Sequence, residues 1–154
     1  MAKQRDLIRM SDEEISVFLK ECKSLNVATL DKEGAPHLTT LWFAVKDGNF
    51  MFETYGSSQK IVNLRRDPRI AVICEKGTTY AELRGVSVKG KAEIIDGGAE
   101  LEEAMRFIVQ HNHPHLQGDE LKERVTAMKQ KRVVVVVHPD KIISWDHRKL
   151  AAAK

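Results

Sequence analysis

A serine-containing turn followed by a lysine is the part of this 154-residue sequence best suited to chemistry. A short apolar strand ends near Thr54, and Ser57 and Ser58 form a turn before a helix that carries Lys60 in its first turn. Unpaired backbone N–H groups at a helix start carry partial positive charge. Together with two hydroxyls and an ammonium, they predict a site for a phosphate or a carboxylate. The alternative is an ordinary capped helix with a solvated basic end.

The other polar groups in the sequence form no recognisable catalytic arrangement. His111, His113 and His115 surround a proline in a loop, with no carboxylate or cysteine at ligand spacing, so no metal site is predicted. Glu53 and Glu82 are isolated carboxylates, which more often face solvent than act as acid–base groups. Neither a nucleophile elbow nor a Gly-rich phosphate loop occurs. The catalytic residues are therefore unknown from sequence alone.

Two tryptophans are candidates to border a flat ligand beside the anion site. Thr39 and Leu41 alternate with Thr40 and Trp42 along a predicted strand, so polar groups lie next to apolar ones. Trp145 lies in the last predicted strand. Each tryptophan has the ordinary alternative of packing in the core or at its rim. A flat ring with a phosphorylated tail is the ligand shape that these groups would suit.

The elements that must position these residues are mostly strands. A capping box, Ser11-Asp12-Glu13-Glu14, opens an amphipathic helix. Gly85 and Gly90 predict bulges or a bend in a long strand. Consecutive hairpins without repeated βα alternation favour an α+β antiparallel barrel over a doubly wound sheet. Strands are predicted over 26–30, 36–45, 50–54, 69–75, 79–95, 132–137 and 141–145, and helices over 58–66 and around 101–108 and 121–128.

Composition predicts one globular domain spanning residues 1–154. The net charge of +3 is too small to indicate nucleic-acid binding. No apolar run approaches the roughly 20 residues that span a membrane, so no membrane partner is expected. Cys22 and Cys74 lie far apart in apolar patterns and are expected to be buried free thiols, which indicates a reducing cytoplasm.

Seven short segments, fairly specific when taken together and in order, carry a family resemblance. They are Val27–Leu30, Gly34–Thr39, Trp42–Val45, Ser58–Lys60, Asn63–Arg69, Leu83–Val86 and Ser144–Leu150. Through them the chain resembles the split β-barrel flavin- and deazaflavin-binding proteins of the pyridoxamine 5'-phosphate oxidase-like superfamily. Within that superfamily it is most similar to the flavin/deazaflavin oxidoreductases of group B. The resemblance extends from Met10 to Leu150.

The resemblance implies a mainly β fold with helices, a six-stranded FMN-binding split barrel. It also implies a homodimer with two cofactor sites at the dimer interface. In such proteins the serine and lysine that match Ser58 and Lys60 contact the cofactor phosphate. The other cofactor-binding residues that the resemblance implies are Thr39, Thr40, Leu41, Thr54, Ser57, Gln59 and Asn63, with Trp145 and Arg148 approaching from the other subunit.

The implied activity is hydride transfer from reduced coenzyme F-420, an 8-hydroxy-5-deazaflavin, to a small organic substrate. FMN is the alternative cofactor, and non-catalytic binding of a cofactor or tetrapyrrole is the alternative function. Genuine pyridoxamine 5'-phosphate oxidases end in an arginine-rich substrate motif that this chain lacks, so their substrate is not expected. Four basic residues are candidates for the anionic tail of coenzyme F-420, namely Lys60, Arg65, Arg66 and Arg69.

Overall fold

Alternating apolar and polar residues fold into seven strands of one antiparallel sheet. The computed structural model describes residues 3–152. The strands are β1 Ser24–Leu30, β2 Pro36–Trp42, β3 Ala44–Lys46, β4 Asn49–Tyr55, β5 Arg69–Lys76, β6 Arg84–Ile95 and β7 Arg132–Asp146. Their order across the sheet is β2-β1-β5-β6-β7-β4-β3. Because β2 and β3 are consecutive in sequence yet lie at opposite edges, the sheet curls into a split barrel, and the predicted α+β class is confirmed.

Helices flank this sheet at points that the sequence partly predicts. They are α1 Gln4–Leu7, α2 Asp12–Glu21, α3 Gln59–Arg66, α4 Gly98–Asn112, α5 Gly118–Met128 and α6 Lys149–Ala152. The predicted capping box opens α2: Ser11 Oγ accepts from the Glu14 amide at 3.2 Å, and the Glu14 carboxylate accepts from the Ser11 amide at 2.8 Å. Within residues 3–152, none of these helices is both long and apolar enough to cross a membrane.

Strand β7 lies between two hydrophobic cores, which explains its run of five valines. Val133, Val135 and Val137 pack into the barrel interior with the inner residues of β4. Val134 and Val136 pack on the opposite side, against the layer formed by α4 and α5. Apolar side chains are therefore required at consecutive positions rather than at alternate ones. The prediction that this strand is buried on both faces is confirmed.

Three predicted strand boundaries are wrong. The strand predicted over 36–45 breaks at the buried Phe43 into β2 and β3, which raises the strand count above the six implied by the resemblance. The strands predicted over 132–137 and 141–145 are one continuous β7, because a bulge carries the pairing past Pro139. The strand predicted from residue 79 begins only at Arg84, since Tyr80–Glu82 form a 3-10 turn.

The two glycines of β6 have different roles. Gly90 lies at a register shift, where Lys89 pairs with Lys141 but Gly90 pairs with Pro139, so the predicted bulge is confirmed. A Cβ on Gly90 would lie 2.2 Å from the carbonyl oxygen of His138. Gly85 was also expected to mark a bulge or bend, but its pairing is regular. Instead it leaves room for the indole of Trp145, which a Cβ would approach to 2.1 Å.

The predicted free thiols are buried, and the fold brings them together. Cys22 ends α2 and Cys74 lies on β5, and both belong to the barrel core. A hydrogen bond from the Cys74 thiol lowers the pKa of Cys22. The same contact, together with burial, raises the pKa of Cys74.

The close approach of β6 and β7 at Gly90 predicts that a larger side chain there destabilises the protein. Gly90→Ala should destabilise the protein by about 1–3 kcal/mol, because the new Cβ forces two backbones apart. Urea unfolding monitored by circular dichroism measures this change. Gly97→Ala is the control, since its extended backbone (φ −171°) and open surroundings accept a Cβ, and we expect less than about 1 kcal/mol there. Equal effects at both positions would contradict the packing argument.

Candidate functional site

The start of α3 is held against the end of β4, and its N-terminus is left without a side-chain cap. Ser58 occupies the N-cap position with extended backbone angles, φ −67° and ψ 153°. Its hydroxyl accepts no hydrogen bond from the first turn of α3 and lies instead 3.5 Å from Thr54 Oγ1. The side-chain cap that the alternative expected at this helix start is therefore not formed. Amides at this helix start remain available to an anion.

Lys60 places its ammonium beside the same two hydroxyls. Lys60 Nζ donates to Thr54 Oγ1 at 3.1 Å, and Thr54 itself is buried. Partial burial lowers the pKa of Lys60, and the negative charge of Glu53 partly opposes that shift. Two hydroxyls, an ammonium and uncapped amides thus converge, which we call the anion cradle (Thr54, Ser58 and Lys60). Ser57, also predicted for the site, is exposed in the adjoining turn.

Two further predicted residues anchor the cradle to the sheet. Asn63 is fully buried, accepts from Gln59 Nε2 at 2.8 Å and donates to Thr29 Oγ1 at 3.0 Å. Thr29 lies on β1, thirty-four residues earlier in the chain. These hydrogen bonds hold α3 against β1, and Asn63 thereby positions the residues of the anion cradle. Sequence reasoning missed Thr29, although a threonine on the buried side of β1, after Leu25 and Val27, was the available signal.

The predicted ring-side residues of β2 divide between its two faces. Thr39 and Leu41 pair with Val27 and Leu25 and share the barrel side, as the alternation predicts. Thr40 is on the outer face and donates to Asn26 Oδ1 at 2.6 Å. The Thr39 hydroxyl is buried, yet it has no hydrogen-bond partner within the part of the chain that the structure describes. Because buried polar atoms are normally paired, this hydroxyl is suited to a ligand.

One chain does not bring Trp145 and Arg148 to the cradle. Tyr55, next to the cradle, pairs with Arg132 at the start of β7, whereas Trp145 lies near the other end of that strand. Thirteen residues of strand separate the two positions, a contour length of roughly 40 Å at about 3.3 Å per residue. Trp145 packs over Gly85, and Arg148 is held by Asp146 through hydrogen bonds of 2.9 and 2.7 Å.

The arginines at the end of α3 are already engaged within the chain. Arg65 forms an ion pair with Asp96 at 3.3 Å, and Arg69 forms one with Asp67 at 2.7 Å. Arg66 donates to the carbonyl oxygen of Leu30 and lies 3.5 Å from Asn63 Oδ1. Each arginine thus has a partner within the chain, and contact with an anionic cofactor tail stays a prediction.

The outer face of β4 carries groups that sequence reasoning either missed or left unassigned. Glu53 accepts from Arg132 Nη1 at 2.7 Å, and the Arg132 guanidinium lies 4.1 Å from the ring centroid of Tyr55. This ion pair gives Glu53 a structural partner and removes it as a free acid–base group.

The imidazole of His113 packs against Trp42 with ring centroids 5.7 Å apart. Across residues 3–152, no group of three His, Cys, Asp or Glu side chains is arranged to hold a metal ion.

Comparison with known proteins relates this geometry to one family. The sequence profile of pyridoxamine 5'-phosphate oxidase matches residues 11–146. No protein of curated function matches in sequence. Among solved structures, the conserved hypothetical protein Rv2991 from Mycobacterium tuberculosis is 43% identical, with 97% of this chain and 93% of that one covered and a TM-score of 0.89.

Two more distant structures share the fold alone. The haem storage protein HutZ from Vibrio cholerae is 13% identical, with 86% of this chain and 94% of that chain covered and a TM-score of 0.69. A protein named F-420 reductase is 21% identical, with 82% and 94% covered and a TM-score of 0.59. At these identities neither protein's ligand is transferred to this chain.

Partial burial of Lys60 predicts that it weakens the fold when no ligand is present. Its pKa is lowered in the folded state, so protonation opposes folding below that pKa, and the penalty disappears above the unfolded value of 10.5. Lys60→Met should therefore leave the free energy of unfolding unchanged or raise it at pH 7, with the gain lost near pH 11. Urea unfolding at both pH values tests this, with the exposed Lys32→Met as the control. A clear loss of stability at pH 7 in Lys60→Met alone would contradict it.

Proposed function

Because the chain belongs to the pyridoxamine 5'-phosphate oxidase family, we propose that it is an oxidoreductase that uses coenzyme F-420 to reduce a small organic substrate. The observation that carries this proposal is the anion cradle. Its hydroxyls, ammonium and uncapped amides converge at one point, and a phosphate is the group that such a set of donors suits. The family resemblance assigns the cofactor phosphate to Ser58 and Lys60 as well.

The residues present fit a phosphorylated ring system. Ser58, Lys60 and the first amides of α3 would hold the phosphate, and the unpaired hydroxyl of Thr39 would face the ring system from β2. Leu41 provides an apolar neighbour two residues further along the same face. When bound, the cofactor supplies the hydride, so the protein needs only to bind, orient and exclude water. This division of labour agrees with the lack of a catalytic triad or free general base in the sequence.

The choice of coenzyme F-420 over FMN rests on the resemblance to group B. The ion pairs of Arg65 and Arg69 do not add to it. The phosphate itself offers a distinction, because FMN carries a phosphate monoester with a second ionisation near pH 6. The phosphate of coenzyme F-420 is esterified on both sides and has no ionisation in that range.

We predict that coenzyme F-420 binds more tightly than FMN, with an affinity that changes by less than about twofold between pH 5.5 and 7.5. FMN affinity should rise about threefold to tenfold over the same range, as the second phosphate charge develops. Calorimetric titration measures both affinities. Lys60→Met should weaken coenzyme F-420 binding by roughly 1–3 kcal/mol, and Lys32→Met should not. Tighter binding of FMN would assign the chain to the FMN-using members of the family.

Turnover then separates an enzyme from a binding protein. The protein should accelerate the oxidation of reduced coenzyme F-420 when menadione or biliverdin is added, and Lys60→Met should lose that acceleration together with the binding. Tight binding of a cofactor or of a tetrapyrrole, with no acceleration by any enone, quinone or biliverdin, would instead support the non-catalytic alternative.

We further propose that the protein is a homodimer with shared cofactor sites. The support is geometric: Trp145 and Arg148 lie at the far end of β7 from the cradle of their own chain. A second copy is the means by which they would reach a cradle. Leu38, exposed on the outer face of β2 by 69%, offers apolar surface for such contact.

Shared sites predict complementation between two defective variants. Lys60→Met and the double variant Trp145→Ala/Arg148→Ala should each bind cofactor poorly as homodimers. After the two are mixed, unfolded and refolded together, half of the dimers are mixed, and each mixed dimer has one complete site. About a quarter of the sites should therefore recover wild-type affinity by statistical mixing of subunits. No recovery, in a sample that light scattering shows to contain mixed dimers, would contradict shared sites, and so would a monomer with normal affinity.

A further inference from the structure

Two side chains from separate parts of the chain meet at the exposed indole of Trp42, beyond the residues assigned to the cofactor, and a third cation acts on one of them. Lys23 follows α2 and places its ammonium 4.8 Å from the Trp42 ring centroid. His113, just after α4, stacks at a tilt of 42° against the same indole. The positive charge of Arg124, on α5, acts on the imidazole of His113. We call these four residues, Lys23, Trp42, His113 and Arg124, the outer corner.

The outer corner carries positive charge that the chain does not neutralise. Within residues 3–152, neither Lys23 nor Arg124 forms an ion pair or a side-chain hydrogen bond. Glu53, whose negative charge acts on His113, is bound to Arg132. Burial and the charges of Arg124, His115 and Lys23 lower the pKa of His113, and only Glu53 opposes them. Elsewhere in the described chain, exposed arginines such as Arg65 and Arg69 are paired with carboxylates.

Strand β4 carries residues that bear on both the outer corner and the anion cradle. Thr54 belongs to the cradle, and its neighbour Glu53 projects from the other face of β4. The charge of Glu53 acts on both Lys60 and His113. Strand β3 pairs with β4 only as far as Met51, so the last four residues of β4 have an open edge. Around this open edge, a molecule on the outer face of the sheet would approach a ring held on its barrel side.

We infer that the outer corner binds the second substrate and selects a planar ring that carries a carboxylate. An exposed indole with a tilted imidazole offers a stacking surface for a flat ring. Two unpaired cations beside it favour a negative group and reject a neutral or positive one. This inference rests on the proposed function, because it takes the outer corner as the substrate side of that cofactor site.

The probes are 2-naphthoate, a planar carboxylate, and 2-naphthamide, which has the same rings without the charge. The chain has two tryptophans, so its ¹⁵N spectrum contains two indole N–H signals, and Trp145→Phe identifies the one from Trp42. Titration of the cofactor-free protein at low ionic strength should shift the Trp42 signal with 2-naphthoate, and 2-naphthamide should bind at least about fivefold more weakly.

Matched charge changes test the two cations. Lys23→Gln and Arg124→Gln should each weaken 2-naphthoate binding about twofold to fivefold, as exposed charge pairs do. Lys122→Gln is the control, because residue 122 is also exposed on α5 but lies about 200° around the helix from Arg124. Triglutamate, a flexible polyanion, should not displace 2-naphthoate if the ring is recognised as well as the charge.

Each outcome decides the inference separately from the proposed function. An unmoved Trp42 signal would overturn it, and so would equal binding of both probes or displacement of 2-naphthoate by triglutamate. Lys60→Met should leave 2-naphthoate binding intact, whereas it should weaken cofactor binding. Failure of the cofactor titrations with a normal 2-naphthoate response would overturn the proposed function alone, and the reverse result would overturn the substrate class alone.

Discussion

The burial of β7 on both faces is the constraint on which the rest of the structure depends. Its residues 133–137 contribute to the barrel interior and to the helical layer at once. The strand pairs with β6 over most of its length and with β4 at its start. Strand β7 therefore fixes the pairing of β4, which leads into the anion cradle. It also fixes the position of Trp145 near the C-terminal end of the chain. Neither core can relax without moving the other, because close-packed interiors transmit displacement.

Local patterns predicted most of the fold and the centre of the site, while pairings between distant residues escaped them. Thr54, Ser58 and Lys60 lie within seven residues, so their meeting follows from one strand, one turn and one helix. The bond between Asn63 and Thr29 joins separate elements, and no periodicity in either one indicates it. The continuation of β7 past Pro139 escaped prediction for the same reason, since register belongs to a pair of strands and not to one.

Polar groups without their usual partners or hydration are concentrated at the proposed cofactor site. Ser58 does not cap its helix, Lys60 is partly desolvated, and the Thr39 hydroxyl lacks a partner within residues 3–152. Away from the site, Ser11 and Glu14 cap α2 reciprocally, so the chain can satisfy a helix start where no ligand is needed. Groups left unsatisfied in the free protein are those that a bound phosphate and ring could satisfy.

The break between β2 and β3 has a consequence for the evolution of this cleft. A single residue, Phe43, carries the chain from one edge of the sheet to the other, and its ring is stacked on Phe50 with centroids 5.8 Å apart. The residue that joins the two edges is thus a buried side chain and not one of the residues assigned to the ligand. Relatives could admit wider or narrower molecules by repacking this pivot, while every binding group stays unchanged.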